Sequence, residues 1–308
     1  MIHGYIYTFT YRKEEASLFQ MEMRSLFNSV NTSIILKSNE DVNPSRSPFI
    51  KERIDIMFEG DDLEEIIVQA EQMNLHDSTF KVRFVKYKDV KIGYDERLAI
   101  ERKVGWSING EADVRNPDQV FGIVLLNDRW YFGKYEKNEA EWLKHMKKPH
   151  TFSTALSTRV ARAVANIAVP HPEGVRVIDP CCGIGTVLVE ALSMGIDITG
   201  RDINSRVVYG SRKNIAYFGF EAEVTLGPIS DITEKYDVTI IDLPYNLYTH
   251  VTLDEQFDII KHARRISKKA VFITIETIDD MLEEAGFEIQ DRCEARKANF
   301  SRQILSCI

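Results

Sequence analysis

From residue 175 to the C-terminus the chain repeats one pattern, a short apolar run followed by a helical stretch, and this alternation restricts the fold more than any other feature. Residues 175–179, 197–202, 222–226, 238–242, 270–275, 287–292 and 303–307 read as strands, with helices over 186–194 and 205–218 between the first of them. Parallel strands cannot be joined by a tight hairpin, so helices must return the chain across the sheet and cover its faces. The expectation is an α/β domain with a mostly parallel sheet that binds ligands at the carboxyl ends of its strands.

Chemistry-bearing residues sit at those ends. The first strand runs into Asp179-Pro180-Cys181-Cys182-Gly183-Ile184-Gly185-Thr186, where glycines let the backbone approach a ligand and the following helix start presents N–H groups. Asp202, with Ile203 beside it, ends the next strand, where a carboxylate can take both hydroxyls of a ribose. Asp231 and Ile232 follow the third, placed to accept from an adenine amine. A lone Gly-x-Gly equally fits a structural turn. A nicotinamide dinucleotide site requires a third glycine, and Leu188 stands there. Asp179 at the mouth of the loop suits a cationic ligand better than a diphosphate. After the fourth strand comes Asp242-Leu243-Pro244-Tyr245-Asn246, an acid, a proline and an aromatic in the arrangement expected to grip a flat, amine-bearing ligand. The bland alternative for that stretch is an Asp-x-Pro turn.

The 308 residues suffice for two domains. Residues 1–75 read as a small α+β unit, with a helix over 14–27 that places Ala16, Phe19, Met23 and Phe27 at helical spacing. The net charge of −8 speaks against a nucleic-acid partner until the chain is divided. Residues 1–75 carry 7 basic and 13 acidic side chains, 76–150 carry 15 and 12, and 151–308 carry 17 and 22, so only the middle segment is positive. Within it, residues 79–87 alternate apolar with basic, turning Lys81, Arg83 and Lys86 to solvent or to a partner. No apolar run approaches the roughly 18 residues of a membrane span. The N-terminus lacks a signal-peptide layout, and the four cysteines have neither disulfide nor metal-ligand spacing. A cytoplasmic protein without a required metal is expected.

Two resemblances sharpen these expectations. The order Phe80-x-Val82-Arg83, Glu101-Arg102-x-x-Gly105-Trp106, Asn116-Pro117-Asp118 and Arg129-Trp130-Tyr131-Phe132-Gly133 resembles a THUMP domain with the ferredoxin-like domain that usually precedes it. That implies an N-terminal ferredoxin-like domain over 1–75, a THUMP-like RNA-binding domain over 76–138, a linker and helix over 139–170 and a catalytic domain over 171–308. The Asp-Pro-x-Cys-Gly-x-Gly-Thr loop and the strand series resemble the Rossmann-like class I methyltransferases. The resemblance implies S-adenosylmethionine as cofactor, held by Asp179, Cys181, Gly183, Gly185, Thr186, Asp202, Ile203, Asp231 and Ile232. Asp242-Leu243-Pro244-Tyr245 is similar to the Asp/Asn-Pro-Pro-Tyr signature of enzymes that methylate exocyclic base amines, with Leu243 in place of a proline. It implies that Asp242 and the Leu243 carbonyl orient the amine, Pro244 stiffens the loop and Tyr245 stacks on the base. The layout resembles tRNA guanine-N2 methyltransferases of the guanosine-10 type. Ribosomal RNA N2-guanine or N6-adenine methylation stays open, as does a non-catalytic RNA-binding protein on the same scaffold. Phe300, Ser301 and Arg302 before the last strand, and His150 and Phe152 before the cofactor loop, are further candidates for the site.

Overall fold

In the computed structural model, residues 3–29, 33–244, 251–297 and 300–308 are described, and Tyr245 and Asn246 lie outside them. In chain order the elements of the first half are β1 (Tyr5–Phe9), α1 (Ala16–Phe27), β2 (Ile35–Ser38), β3 (Ile50–Gly60), α2 (Leu63–Ala70), β4 (Asn74–Phe84), α3 (Tyr94–Ser107), β5 (Asn109–Ala112), β6 (Gln119–Leu126) and β7 (Arg129–Lys137). There follow α4 (Trp142–His145), α5 (Thr158–Ala168), β8 (Arg176–Asp179), α6 (Thr186–Ser193), β9 (Asp197–Asp202), α7 (Ser205–Tyr217), β10 (Val224–Leu226), β11 (Tyr236–Asp242), α8 (Leu253–Ile266), β12 (Ser267–Thr274), α9 (Asp279–Glu284), β13 (Ile289–Lys297) and β14 (Phe300–Cys307). They form two compact units: Met1–Thr10, Thr32–Ser45 and Phe49–Glu139 in one, and Tyr11–Asn31, Arg46–Pro48 and Ala140–Ile308 in the other.

The first unit is built on one seven-stranded sheet in the order β2-β1-β3-β7-β6-β4-β5. Alternation along β4 turns Phe80, Val82 and Phe84 into a core shared with Ile66 of α2, Ile100 and Val104 of α3, and Phe121 and Phe132 of the neighbouring strands. Phe121 stacks on Phe132 with centroids 5.5 Å apart. The structure departs here from the four-part division expected from the sequence. A boundary at 75 falls inside β4, and the pairing of β3 with β7 runs one sheet through residues on both sides of it.

The second unit contains the sheet predicted by the strand and helix alternation, in the order β10-β9-β8-β11-β12-β14-β13. β10, β9, β8, β11 and β12 pair in parallel, and β14 runs antiparallel between β12 and β13. The central strands have no polar face: Val238 to Ile241 and Ala270 to Thr274 are all buried, as a sheet covered on both sides requires. The order reverses between β8 and β11, and the crevice at their carboxyl ends is where such a sheet binds ligands.

Helix α1 belongs to this second unit, although its sequence precedes most of the first. Its Arg24 forms a two-bond pair with Asp291, both at 2.8 Å, and Arg159 of α5 pairs with Glu15 just before the helix. Glu22 of α1 is fully buried, and it accepts from Ser47 Oγ at 2.6 Å and Asn166 Nδ2 at 2.7 Å. Beside it Arg162 donates to Glu190 at 2.7 Å, and the other Glu190 oxygen lies 2.9 Å from His145 Nδ1. Among the described residues, no helix is long and apolar enough to cross a membrane.

Candidate active site

The carboxyl ends of β8, β9 and β11 open into a cavity of about 1110 Å³, and each of these strands ends in an aspartate that lines it: Asp179, Asp202 and Asp242. Their placement follows from register. Asp179 pairs with Gly200 of β9, and Asp242 pairs with Ile273 of β12, so the acids are carried to one edge by the sheet itself.

Asp179 is 2% exposed and accepts from the Cys181 N–H at 3.2 Å. Burial, with Asp242 and Asp202 nearby, holds its carboxyl well above the usual range. Asp202 accepts from Gly183 N–H on one oxygen and Asn204 N–H on the other, both at 2.9 Å, while burial raises it. Each oxygen keeps a lone pair for a ligand hydroxyl. Asp242 differs from both. Burial pushes it up to about 7, opposed by the Arg302 charge, and among the described residues its buried Oδ1 has no hydrogen-bond partner. A solvent-excluded carboxylate oxygen left unpaired is expensive in a finished fold, so it marks a place where a donor from outside belongs.

The glycine loop works by two different devices. Gly183 has φ +51°, and a Cβ there would meet nothing within 4 Å, so its face is open to the cavity. Gly185, the N-cap of α6, has φ +75° and a Cβ position only 2.3 Å from Ser211 Oγ of α7. The first glycine leaves room for a ligand; the second lets two helices approach.

Leu243 resolves the oddity in the base-site signature. Its N–H donates to Ile273 O at 2.9 Å, extending the β11 ladder by a bond that proline cannot make. Its side chain is 1% exposed and packs with Ile178, Ile229 and Phe272. Pro244 follows on the cavity wall, its carbonyl accepting from Gln256 Nε2 of α8 at 2.8 Å. Tyr245, expected to stack on a base, is outside the described residues.

Of the other expected residues, Cys181, Thr186, Ile203 and Phe152 line the cavity, while Asp231 and Ile232 do not. The Arg201 guanidinium donates to Pro228 O and Thr225 Oγ1 and draws Asp231 to 3.6 Å, toward a separate recess of about 210 Å³. Ile229 and Ser230 stand on the wall in their place. His150 is held by Asn214 through both its backbone N–H and its carbonyl, and it is not on the wall. Arg302, 8% exposed, donates to Thr154 O at 2.7 Å and acts on Asp242 by its charge. Burial pushes both Cys181 and Cys182 thiols up, which leaves them unreactive at neutral pH. Asn204, Val207 and the α8 residues Asp254, Phe257 and Asp258 complete the wall and had no distinctive spacing in the sequence. In the first unit Arg83 lies over the Tyr135 ring, Lys81 donates to Val114 O and Lys86 is exposed. Among the described residues no cluster of His, Cys, Asp and Glu is placed to hold a metal ion.

Parts of the chain are similar to known proteins. Residues 146–279 match a family model described as an RMKL-like methyltransferase domain (UPF0020). The tRNA (guanine(10)-N2)-dimethyltransferase of Methanothermobacter thermautotrophicus is 27% identical, over 76% of each chain. The enzyme of the same name from Pyrococcus abyssi is 26% identical over 63% of this chain and 62% of its own. Human U6 snRNA (guanine-N(2))-methyltransferase THUMPD2 is 29% identical over 48% of this chain and 29% of its own. Among solved structures, TrmN from Thermus thermophilus aligns over 99% of both chains at 15% identity, with a TM-score of 0.49. Over residues 146–279, which include five of the seven strands of the second sheet, the chain is similar to that family.

Proposed function

We propose that the chain is an S-adenosylmethionine-dependent RNA methyltransferase that modifies the exocyclic N2 amine of a guanosine in tRNA. The observation that carries this reading is the buried Asp242 Oδ1, unpaired among the described residues, in one cavity with Asp179 and Asp202. The relatives named for guanine-N2 methylation of tRNA supply the substrate class.

The cavity suits the cofactor in size and in charge. Three carboxyls raised by burial favour a cation, and a cation lowers them in return, so ligand binding and ionisation reinforce each other. Asp202 would hold the ribose hydroxyls and Gly183 would allow close approach, while Ile203, Val207 and Ile229 offer the apolar walls an adenine requires. When bound, S-adenosylmethionine supplies an electrophilic methyl group on a sulfonium. Asp242 accepts a hydrogen bond from the base amine, turns the nitrogen lone pair out of the ring system, and takes the proton that the amine loses. Leu243 and Gln256 fix the strand end and the Pro244 carbonyl, so the acceptors are oriented before the base arrives.

The first unit is the region that holds the RNA body, with Arg83 and Lys86 exposed for phosphates. Calorimetry is expected to show S-adenosylmethionine binding that weakens in Asp202→Ala. Asp242→Ala is expected to abolish methyl transfer with cofactor affinity near that of the parent, and retained turnover would place the amine elsewhere. Mass spectrometry of nucleosides from tRNA and rRNA treated with the protein distinguishes N2-methylguanosine from N6-methyladenosine and one RNA from the other.

A further inference from the structure

Residues 151–308 carry an excess of acid, 22 against 17, and yet α7 has no acidic residue from Ser205 to Tyr217. It carries Arg206, Arg212 and Lys213 instead. Arg206, Tyr209, Lys213 and Tyr217 recur at steps of three and four, which stacks them along one side of the helix with cation and ring in alternation. All four are exposed, Tyr209 at 57% and Tyr217 at 62%. Arg212 points differently, its guanidinium donating to Val224 O and so tying α7 to β10.

The stripe is organised. The Lys213 ammonium lies 5.5 Å above the Tyr209 ring, and the His150 ring meets that tyrosine edge-on at 5.8 Å. The two backbone bonds from Asn214 hold His150 against the helix, which brings the segment Lys147-Lys148-Pro149-His150-Thr151-Phe152 alongside it. Among the described residues, Arg206, Lys213 and Lys147 have no acidic partner. The stripe is also continuous with the cavity. Ile203 and Val207 at the start of α7 line it, as does Phe152, 55% exposed.

We propose that this side of α7 is a track for single-stranded RNA, on which nucleotides flanking the target stack against Tyr209 and Tyr217 while their phosphates meet Arg206 and Lys213. From Arg206 to Tyr217 the helix rises about 16 Å, the reach of a few nucleotides. Every base has a face to stack and every nucleotide carries one negative charge, so alternating rings and cations fit this polymer better than an acidic protein surface, where charges come without planar groups. The track deepens the proposed function and rests on its assignment of RNA as substrate. It gives an acidic domain a local positive path to its own cavity.

The test uses the full chain with an unmodified tRNA transcript and a twelve-nucleotide oligouridylate. Arg206→Glu/Lys213→Glu is expected to raise the RNA Kd tenfold or more at low salt. It should also lower the slope of log K against log salt by about 1.4, the loss of two single-strand phosphate contacts. Tyr209→Ala is expected to raise Kd by about five- to a hundredfold with the slope nearly unchanged. Calorimetric titration with S-adenosylmethionine checks the fold of each variant. Should the double reversal lose cofactor affinity, Arg206→Gln/Lys213→Gln is measured in its place, with the same fall in slope expected. Unchanged Kd and slope in a variant that binds cofactor overturns the track, as does an acidic protein partner whose capture alone depends on these residues. Methyl transfer to tRNA that is indifferent to α7 would leave the proposed function standing without the track. An α7-dependent slope without any methyl transfer would leave the track standing without that function.

Discussion

Burial pushes the Asp242 carboxyl up to about 7. In the proposed reaction this carboxyl has to be ionised, because a protonated carboxyl cannot take the proton that the amine releases. The sign is set by that requirement: kcat/KM for the cofactor should fall as pH drops below about 7 and level off above it. Measured under saturating cofactor, the inflection in kcat should move to lower pH, because the bound sulfonium favours the carboxylate. An inflection that stays in Asp242→Asn with residual activity would assign it to another group. Leu243 makes a second claim at this scale. Leu243→Pro restores the commoner signature but removes the N–H donated to Ile273 and a fully buried side chain, and it is expected to cost roughly 3 kcal/mol in urea unfolding.

At the scale of the element, the loop from β8 to α6 separates ligand room from packing room. Gly183→Ala adds a methyl to open space at positive φ, a strain of about 1–2 kcal/mol. Its larger effect should be on cofactor affinity in calorimetry. Gly185→Ala drives a methyl into Ser211 and should lower the unfolding midpoint more than Gly183→Ala does. A reversed order of the two would mean the ligand contacts Gly185. The aspartates at the strand ends were legible in the sequence, because the edge position of a parallel strand is fixed by where its apolar run stops. Asp231 shows the limit of that logic. Its spacing pointed it at the cavity, but its direction is decided by Arg201, a tertiary partner that no local pattern announces. The wall from α8 escaped notice for a similar reason, since Asp254 and Asp258 look like an ordinary solvated helix face until the sheet places them. For α1 the apolar spacing gave the helix, but the sheet and helices it packs on lie more than a hundred residues away.

On the scale of the whole molecule, the second unit keeps ionisable groups in its interior away from the cavity. Burial pushes Glu22 from its ordinary 4.5 to about 7, outweighing the bonds from Ser47 and Asn166 and the charge of Arg162. A shift of that size corresponds to roughly 3 kcal/mol. The folded state holds this proton more tightly than the unfolded chain does, so the contribution is fully present below about pH 4.5 and is lost as pH rises toward 7. Asp242 acts in the same direction in the cofactor-free protein. Glu22→Gln is therefore expected to raise Tm at pH 8 and to flatten the decline between pH 5 and 7, which calorimetric scans in the absence of cofactor would detect. A steeper decline in the variant would show that the carboxylate is stabilised by Arg162 after all.

The membership of α1 in the second unit has a consequence for how the protein is made. Glu22 and its partner Asn166 are 144 residues apart. At ordinary rates of translation the helix leaves the ribosome roughly 7–29 s before α5 exists to receive it. Through that interval α1 lacks α5 and β13, on which it packs in the finished protein. The second unit thus cannot be completed in strict order of synthesis: its first helix must wait for α5 and β13 while the strands of the first unit are laid down.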